Sequence, residues 1–273
     1  MLKSLPLLTA GLLSFSTVAE TVNDLSGWVV EDAENTDANW EYVVETNTWK
    51  QMVNTTDFTY LYDPSSTSLG KAVSGTISVN TGGDDDYIGF VLGYQPGDLM
   101  NENADYLLLT WKQATQGNMR EGMTLYHVQG SLDRAYRREH ANTNNLDFIP
   151  YVEMVGGAGT YASVGWEDFT PYSFDIAYEK GYLAVFVNDV MQYSLTPGEI
   201  GKTYFDEGAF GFYNYSQNRV EYGSVIYDDV SVLIDDDKMS SIAAAVPFEG
   251  NAAVALLVML VGAGGAHKRK KSV

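Results

Sequence analysis

The sequence predicts an all-β domain in which two antiparallel sheets pack face to face. β-branched and aromatic residues recur in short runs, and in residues 72–79 they alternate with small or polar residues at the period of a strand. Clusters of Gly, Asp and Asn separate the runs, as is typical of turns between strands. The nearest approach to a helical pattern, residues 132–140, is too polar and has no clear apolar face. The pattern therefore indicates strands joined by turns, with almost no helix.

The predicted strands follow one another along most of the chain. They cover residues 58–62, 72–79, 87–94, 106–112, 123–129, 172–178, 182–187, 191–195, 209–215 and 224–234. Asn188 and Asp189 join two of these strands, and both residue types tolerate the positive φ angles of a tight turn, so a hairpin is expected there. Trp111 and Trp166 are expected in the core, because most Trp side chains of a sandwich are buried.

The composition excludes several classes of protein. The chain has 273 residues, of which 45% are apolar and 13% aromatic, and this is enough for a sizeable core in one domain. Its 36 acidic residues outnumber 16 Lys and Arg, and the resulting net charge of −20 excludes nucleic acid as a partner. The absence of cysteine excludes disulfides and thiolate chemistry, so the domain must be held together by a metal ion or by its core.

The N-terminus is predicted to be a signal peptide that covers residues 1–19. Lys3 precedes an apolar stretch, and small residues occupy the positions before the cleavage point that a signal peptidase reads. We expect cleavage after Ala19, so that the mature protein is exported and is either secreted or displayed at the cell surface.

The C-terminus is predicted to carry a sorting or anchoring segment. The domain would cover residues 20–238, followed by a linker and sorting motif at 239–251 and an apolar run with a basic tail at 252–273. Val246-Pro247-Phe248-Glu249 with this run and tail resembles the PEP-CTERM class of bacterial sorting signals, which has Val-Pro-Glu-Pro at that place. As a sorting signal or as a plain anchor, the segment would bring the protein to a membrane with its basic tail inside.

The two ends hide part of the acidic charge. Without Lys3, and without the four basic residues and Glu249 of the tail, the remaining chain has 11 basic and 35 acidic residues, a net charge of −24. Bound cations would relieve such self-repulsion. Calcium is the predicted cofactor, because it is abundant outside cells and prefers carboxylate oxygens.

Four blocks of residues resemble the C-terminal domain of thrombospondins. They are Val79-Asn-Thr-Gly-Gly-Asp-Asp-Asp-Tyr-Ile-Gly-Phe-Val-Leu-Gly-Tyr-Gln95, Tyr106-Leu-Leu-Leu-Thr-Trp-Lys-Gln113, Val164-Gly-Trp166 and Gly208-Ala-Phe-Gly-Phe-Tyr-Asn-Tyr-Ser-Gln217. The blocks occur in the order of the family, and the resemblance extends over residues 50–234.

This resemblance implies a concanavalin-like or L-type-lectin-like β-sandwich (jelly roll) with calcium on its loops. It also implies a role in extracellular adhesion or matrix, with an extracellular protein or glycan as the partner, rather than catalysis. The sequence departs from the family in lacking the calcium-binding repeats and the cysteines. The segment 104–109 replaces the family's cell-binding peptide, so the receptor of that peptide is not implied.

Asp84, Asp85 and Asp86 are the predicted metal ligands. Three adjacent carboxylates repel one another unless a cation or protons intervene, and calcium takes several oxygen ligands. Spacing alone favours a solvated acidic turn, whereas the resemblance favours calcium. Because successive residues at a strand end point to opposite sides, we expect two of the three to ligate directly.

A second set of oxygen side chains lies in an inserted loop. Asp98, Asn101, Asn103 and Asp105 have a stagger that could surround one ion, and the alternative is a mobile polar loop. Further along, Asp235, Asp236 and Asp237 are interpreted as a solvated spacer.

Two other functions remain open on the same fold. Exposed tyrosines among the 19 in the chain could stack on sugar rings, which would make the domain a carbohydrate-binding lectin. A cationic cluster could contact an anionic glycan or form a solvated loop; it consists of Arg134, Arg137, Arg138 and His140. A glycoside hydrolase needs two spaced carboxylates, but the Glu-x-Asp-x-x-Glu pattern of laminarinase-like enzymes is missing, so no enzyme activity is expected.

Overall fold

The computed structural model describes residues 22–33, 38–157 and 159–245. The predicted signal peptide, 1–19, and the apolar segment with its basic tail, 252–273, lie outside these residues. The described part consists of two seven-stranded antiparallel sheets, which confirms the predicted all-β class.

Each sheet draws its strands from both halves of the chain. Sheet A has the order β1-β4-β13-β6-β7-β8-β9 and sheet B the order β12-β11-β10-β5-β14-β3-β2. The first seven strands are β1 (Val29–Asp32), β2 (Trp40–Val43), β3 (Thr48–Gln51), β4 (Phe58–Tyr62), β5 (Lys71–Val79), β6 (Tyr87–Tyr94) and β7 (Tyr106–Lys112). The others are β8 (Gly122–Val128), β9 (Val152–Gly157), β10 (Pro171–Glu179), β11 (Tyr182–Val187), β12 (Val190–Leu195), β13 (Ala209–Tyr215) and β14 (Val220–Asp228).

The main core lies between the two sheets. Phe90 of β6 contacts Phe174 of β10 with ring centroids 4.6 Å apart, so the inner faces interdigitate directly. Trp111 and Trp166 are each 2% exposed and belong to this core, as predicted. The alternation seen in residues 72–79 corresponds to buried and half-buried positions along β5.

The predicted hairpin between β11 and β12 is confirmed. Asn188 and Asp189 have φ angles of 48° and 63°, both in the left-handed region that the turn requires. The side chain of Asn188 also accepts a hydrogen bond from the backbone N–H of Ser173 at 3.0 Å, which ties the turn to β10.

The strand prediction differs from the structure in two respects. Strands β1, β2, β3 and β9 were not predicted; the first three are only four residues long, and only Thr48 and Gln51 among their residues are buried. The predicted strand 224–234 ends at Asp228, where Asp229 caps a short helix α1 (Val230–Leu233) by accepting from the backbone N–H of Ser231 at 2.8 Å.

The expectation of almost no helix was wrong at two places. A helix α2, which precedes α1 in the chain, covers Arg134–His140 within the window judged too polar, and Asp133 caps it by accepting from the N–H groups of Ala135 and Tyr136. The buried residue of this helix is Arg137, so no apolar stripe marked it in the sequence. Three short 3-10 turns also occur, at Asp98–Met100, Leu146–Phe148 and Pro197–Ile200.

A third helix, α3 (Asp236–Ala245), replaces the predicted acidic spacer and the first part of the linker. Met239 and Ile242 are buried against sheet B, and Lys238 forms ion pairs with Asp175 at 2.8 Å and with Asp189 at 2.7 Å. The packed unit therefore extends at least to residue 245, beyond the predicted boundary at 238.

Candidate functional site

The acidic loop, residues 80–86, connects β5 of sheet B to β6 of sheet A. Asp84 lies in its middle, and one carboxylate oxygen accepts a hydrogen bond from the backbone N–H of Asn218 at 2.9 Å. The side-chain amide of Asn54 lies 3.3 Å from both carboxylate oxygens. The loop is thus held against the turn between β13 and β14, at one end of the sandwich.

Asp85 and Asp86 share an internal cation, which is the side chain of Lys112. Its Nζ atom lies 3.1 Å from Oδ1 of Asp86 and 3.4 Å from Oδ1 of Asp85, and it donates to the backbone oxygen of Asp85 at 2.8 Å. The side chain of Lys112 is 0% exposed, and its ammonium group lies 5.2 Å from the centre of the Tyr87 ring. One lysine charge therefore faces two of the three carboxylates, which leaves the acidic loop with an excess of negative charge.

The lysine bears on the prediction that Asp86 is a metal ligand. Three adjacent carboxylates were expected to repel one another unless a cation or protons intervene, and Lys112 supplies one positive charge from the end of β7. Among the described residues, no group of three or more His, Asp or Glu side chains is arranged to hold a metal ion. Lys112 stands in the Trp-Lys-Gln block, yet nothing in the sequence indicated that it lies beside the acidic loop.

Asp84 has a different electrostatic environment. Burial raises the pKa of its carboxyl group, the hydrogen bond from Asn218 opposes this effect, and the neighbouring charges of Asp86 and Asp85 raise the pKa further. Asn218 contributes a second feature: its Oδ1 atom is buried and has no hydrogen-bond partner among the described residues. An uncompensated carboxylate and an unpaired amide oxygen thus occur on two residues that are joined by a hydrogen bond.

The pKa of Asp84 predicts the effect of removing its charge. A raised folded-state pKa means that the stability contributed by Asp84 is complete below its ordinary pKa of 3.8 and is lost as the pH rises through the folded-state value. In chelator at pH 7, Asp84→Asn is therefore expected to raise the melting temperature, and the difference should vanish below pH 3.8. Glu139→Gln, at an exposed position of α2, is the control. A lower melting temperature for Asp84→Asn at pH 7 would contradict this reading.

The four sequence blocks meet at this end of the sandwich. Gln217 accepts from the backbone N–H of Asp86 at 2.8 Å, and Trp111 donates its indole N–H to the backbone oxygen of Val164 at 2.9 Å. The indole of Trp166 donates back to the backbone oxygen of Trp111 at 3.2 Å. Residues far apart in the chain are thus brought together around the acidic loop.

Gly165, in the Val-Gly-Trp block, allows two backbones to touch. A Cβ atom at this position would lie 1.8 Å from the backbone oxygen of Gln113, so a side chain would force the segments apart. The side-chain amide of Gln113 in turn donates to Asp168 at 3.1 Å. The Trp-Lys-Gln block therefore contacts the Val-Gly-Trp block through Gly165, and it is hydrogen-bonded to Asp168 in the same loop.

The side chains of the second predicted metal site make their hydrogen bonds with protein groups. Asp98 is 4% exposed and caps its own turn, because its two oxygens accept from the backbone N–H of Gln95 at 2.8 Å and from the side-chain amide of Asn101 at 3.1 Å. Asn101 Oδ1 accepts from the backbone N–H of Asn103 at 3.0 Å. These contacts are those of an ordered turn, not of a shared ion site.

Asp105 lies in a separate ion-pair cluster. His127 Nε2 is 2.7 Å and Lys202 Nζ is 2.6 Å from its Oδ1 atom. Burial works against ionisation, but these two hydrogen bonds and charges outweigh it and lower the pKa of Asp105. The inserted loop is thus fixed by protein groups, and its role as a calcium site stays a prediction.

Many of the tyrosines are covered and do not offer a ring for stacking on sugars, whereas Tyr204 is 60% exposed. The outer face of sheet A carries a layer of buried aromatic rings under the segment 131–151; the layer consists of Phe58, Tyr60, Tyr62, Tyr94, Tyr106, Tyr126, Tyr213 and Tyr215. A hydrogen bond of 2.8 Å joins the hydroxyls of Tyr60 and Tyr106. Sugar stacking on this tyrosine face is therefore not available in this structure.

The predicted cationic cluster is also divided. Arg137 is 1% exposed and is paired with the buried carboxylate of Asp57, whereas His140 stacks on Tyr136 at the surface, with ring centroids 4.0 Å apart. Arg134 Nε lies 3.9 Å from the second oxygen of Asp57. Only part of the cluster faces solvent, so it does not form one basic patch.

Comparison with known proteins identifies the relatives of this chain. It is 27% identical over 172 residues to thrombospondin-2 of Bos taurus, a match that covers 57% of this chain. It is 28% identical over 166 residues to thrombospondin-2 of Gallus gallus, and 25% identical over 169 residues to cartilage oligomeric matrix protein of Bos taurus. The matched part of the chain resembles the C-terminal domain of thrombospondins.

The chain spans only a small part of the length of these relatives. The match covers 14% of bovine thrombospondin-2 and 21% of bovine cartilage oligomeric matrix protein. No family model matches the chain. The functions of the full-length relatives are therefore not assigned to this protein on the basis of sequence identity.

Among solved structures, the chain is similar to the carbohydrate-binding module CBM66 from Bacillus subtilis, with a TM-score of 0.49 and 9% identity over 74% of this chain and 95% of that one. The carbohydrate recognition domain of Emp47p gives a TM-score of 0.40 with 14% identity, over 74% of this chain and 87% of that one. Within residues 22–33, 38–157 and 159–245, no helix combines the length and the apolar character that crossing a membrane requires.

Proposed function

We propose that this protein is an exported recognition module of the adhesion or matrix type, in which calcium fixes the loops at one end of a lectin-like β-sandwich. The thrombospondin and matrix-protein relatives support the class of function, and the leader pattern of residues 1–19 supports export. The partner is an extracellular protein or glycan. The absence of enzyme activity remains a prediction.

The observation that carries the calcium proposal is the buried, unpaired Oδ1 atom of Asn218. Buried polar atoms are nearly always satisfied, so an orphan acceptor indicates a missing partner such as a cation or water. Its residue is hydrogen-bonded to Asp84, a carboxylate for which the described residues supply no ion-pair partner. The residues present therefore fit a hard cation that takes oxygen ligands.

We assign the calcium ligands to Asp84 and Asn218, with Asp85 as a third. The Asp85 side chain is 38% exposed, and its distance of 3.4 Å to Lys112 leaves its second oxygen open to an ion. Asp86 is excluded from the set because its side chain is only 13% exposed and pairs with Lys112 at 3.1 Å. When bound, calcium would neutralise the acidic loop and hold it against the β13–β14 turn.

Calorimetric titration with calcium tests this function. The purified protein is expected to bind one calcium ion at this site with a dissociation constant on the order of 0.1–1 mM, as extracellular calcium modules do. At 10 mM calcium, the free energy of unfolding should then rise by about 1.4–2.7 kcal/mol, which corresponds to several degrees in melting temperature. Magnesium should have a smaller effect, because it demands a stricter octahedral geometry.

Asp84→Asn should abolish both the binding heat and the calcium-induced rise in melting temperature, whereas Glu139→Gln should change neither. The proposal fails if wild-type protein and Asp84→Asn respond to calcium equally. It also fails if neither responds at 10 mM calcium.

A further inference from the structure

A groove of about 210 Å³ opens next to the acidic loop, at the solvent-facing side chains of β3 and β14. Its lining consists of Lys50, Met52, Asn80, Arg219, Val220 and Glu221. Asn80 begins the acidic loop, and Arg219 directly follows Asn218. The groove therefore shares its rim with the proposed calcium site.

Arg219 has two unusual properties. Its side chain is exposed, and its guanidinium group has no hydrogen-bond or ion-pair partner within the described ranges, although the domain is strongly acidic. Its φ angle is 53°, in the left-handed region that a long side chain rarely adopts. A hydrogen bond of 2.8 Å from the backbone N–H of Asn80 to the Arg219 carbonyl holds this conformation. Such strain is typical of residues that are positioned for function.

We propose that this groove binds an acidic saccharide, with Arg219 as the anchor for the carboxylate of a uronate ring. A guanidinium group matches a carboxylate through two parallel N–H···O bonds. Ring hydroxyls could find donors and acceptors in the amide of Asn80 and in the ion pair of Lys50 with Glu221, whose charged atoms lie 3.0 Å apart. Met52 supplies a flexible apolar wall.

The geometry favours a sugar ring over a peptide. Strand β14 is paired on both sides, with β3 and with β5, so the groove offers no free backbone edge for an added strand. The groove is smaller than the ~300–1,000 Å³ of sites that enclose larger ligands. A single polyhydroxylated ring with one carboxylate fits both the size and the polar lining.

This inference rests on the proposed function, because calcium decides the electrostatics of the groove. With a bare Asp84 nearby and a net charge of −24 outside the two termini, an anion is repelled. Calcium bound at Asp84 and Asn218 removes this local repulsion. Uronate binding is therefore expected to be stronger in calcium than in chelator.

The test uses ¹⁵N-labelled protein and two matched probes, methyl β-D-glucuronide and methyl β-D-glucoside, which differ only in the carboxylate. In calcium, the glucuronide is expected to shift the Nε–H resonance of Arg219, and the glucoside is not. Arg219→Gln should weaken glucuronide binding about tenfold or more, since a hydrogen bond between charged groups is lost. Arg138→Gln, at another exposed arginine without a partner in the described part, is the control and should have no effect.

Three results would each overturn the proposal. They are equal shifts with both glycosides, no shift with the glucuronide in calcium-loaded protein, and equal losses of glucuronide binding in Arg219→Gln and Arg138→Gln. Acetate that binds as tightly as the glucuronide would overturn the saccharide class. Observation of the Arg219 resonance in the wild-type protein keeps the test valid even if Arg219→Gln does not fold. If calcium does not bind but the Arg219-dependent shift remains, the calcium function fails and the saccharide site stands.

Discussion

Arg137→Met is expected to lower the free energy of unfolding by about 3–5 kcal/mol, because it leaves a buried carboxylate without its counter-charge. Asp57 and Arg137 are each 1% exposed and are paired with one another. The guanidinium group also donates to the backbone oxygens of Leu132 at 2.7 Å and Thr143 at 3.1 Å, and it lies 4.5 Å from the centre of the Phe58 ring. Arg137 thus ties the segment 131–151 to sheet A.

Urea denaturation measures this effect. Arg138→Met on the same helix is the control, because Arg138 is exposed and should change the free energy of unfolding by about 0.5 kcal/mol or less. The double variant Asp57→Asn with Arg137→Met should recover a large part of the loss, since it leaves no buried charge behind. A loss in Arg137→Met no larger than that in Arg138→Met would contradict the role given to this ion pair.

Lys112→Met is expected to have the second largest effect, a loss of about 2–4 kcal/mol in the absence of calcium. The ammonium group is fully buried and faces Asp86, whose side chain is 13% exposed, and Asp85, whose side chain is 38% exposed. The partial exposure of Asp85 places the expected loss below that for a completely buried pair. Without Lys112, calcium becomes the remaining source of positive charge at the acidic loop.

Calcium should therefore raise the melting temperature of Lys112→Met by more degrees than that of the wild-type protein. Thermal unfolding with and without 10 mM calcium measures both values. Lys180→Met removes an exposed lysine far from the loop in sequence and should leave stability and the calcium effect unchanged. If calcium stabilises Lys112→Met no more than the wild-type protein, the ion and the lysine do not act on the same carboxylates.

The strands of the sandwich centre could be predicted because their sequences carry the information locally. Strands β6, β7, β11 and β13 are long apolar runs bounded by turn residues, and their bounds agree with the predicted ones. The short outer strands β1 to β3 could not be predicted, because four residues of mixed polarity are too few to show the alternation of a strand. Their pairing depends on neighbours such as Val29 with Tyr62, which are distant in the sequence.

The helices were missed for a different physical reason. Helix α2 has no apolar stripe, because its buried side chain is Arg137 and its partner Asp57 lies 80 residues earlier in the chain. Helix α3 buries Met239 and Ile242 among Ser, Ala and Asp residues, which by composition reads as a linker. In both cases a tertiary contact decides the local structure, and a local pattern cannot show it.

The resemblance pointed to the acidic loop, but nothing in the sequence showed the electrostatic environment of that loop. The acidic loop was found in the sequence, whereas the lysine that pairs with Asp85 and Asp86 lies 26 residues beyond Asp86. The orphan oxygen of Asn218 and the hydrogen bond from its backbone to Asp84, across 134 residues, are visible only in the folded chain. The charged residues can be counted in the sequence, but the groups with which they pair are seen only in the folded protein.

The calcium site at the acidic loop can be tested by a crystal structure of the calcium-soaked protein, with anomalous data to identify the ion. We expect one calcium ion in contact with Asp84 and Oδ1 of Asn218, with six to eight oxygen ligands in total, waters included, at about 2.3–2.6 Å. Lys112 should remain paired with Asp86. A calcium ion bound only elsewhere, or no ion at the acidic loop in 10 mM calcium, would show that Asp84 and Asn218 are not calcium ligands.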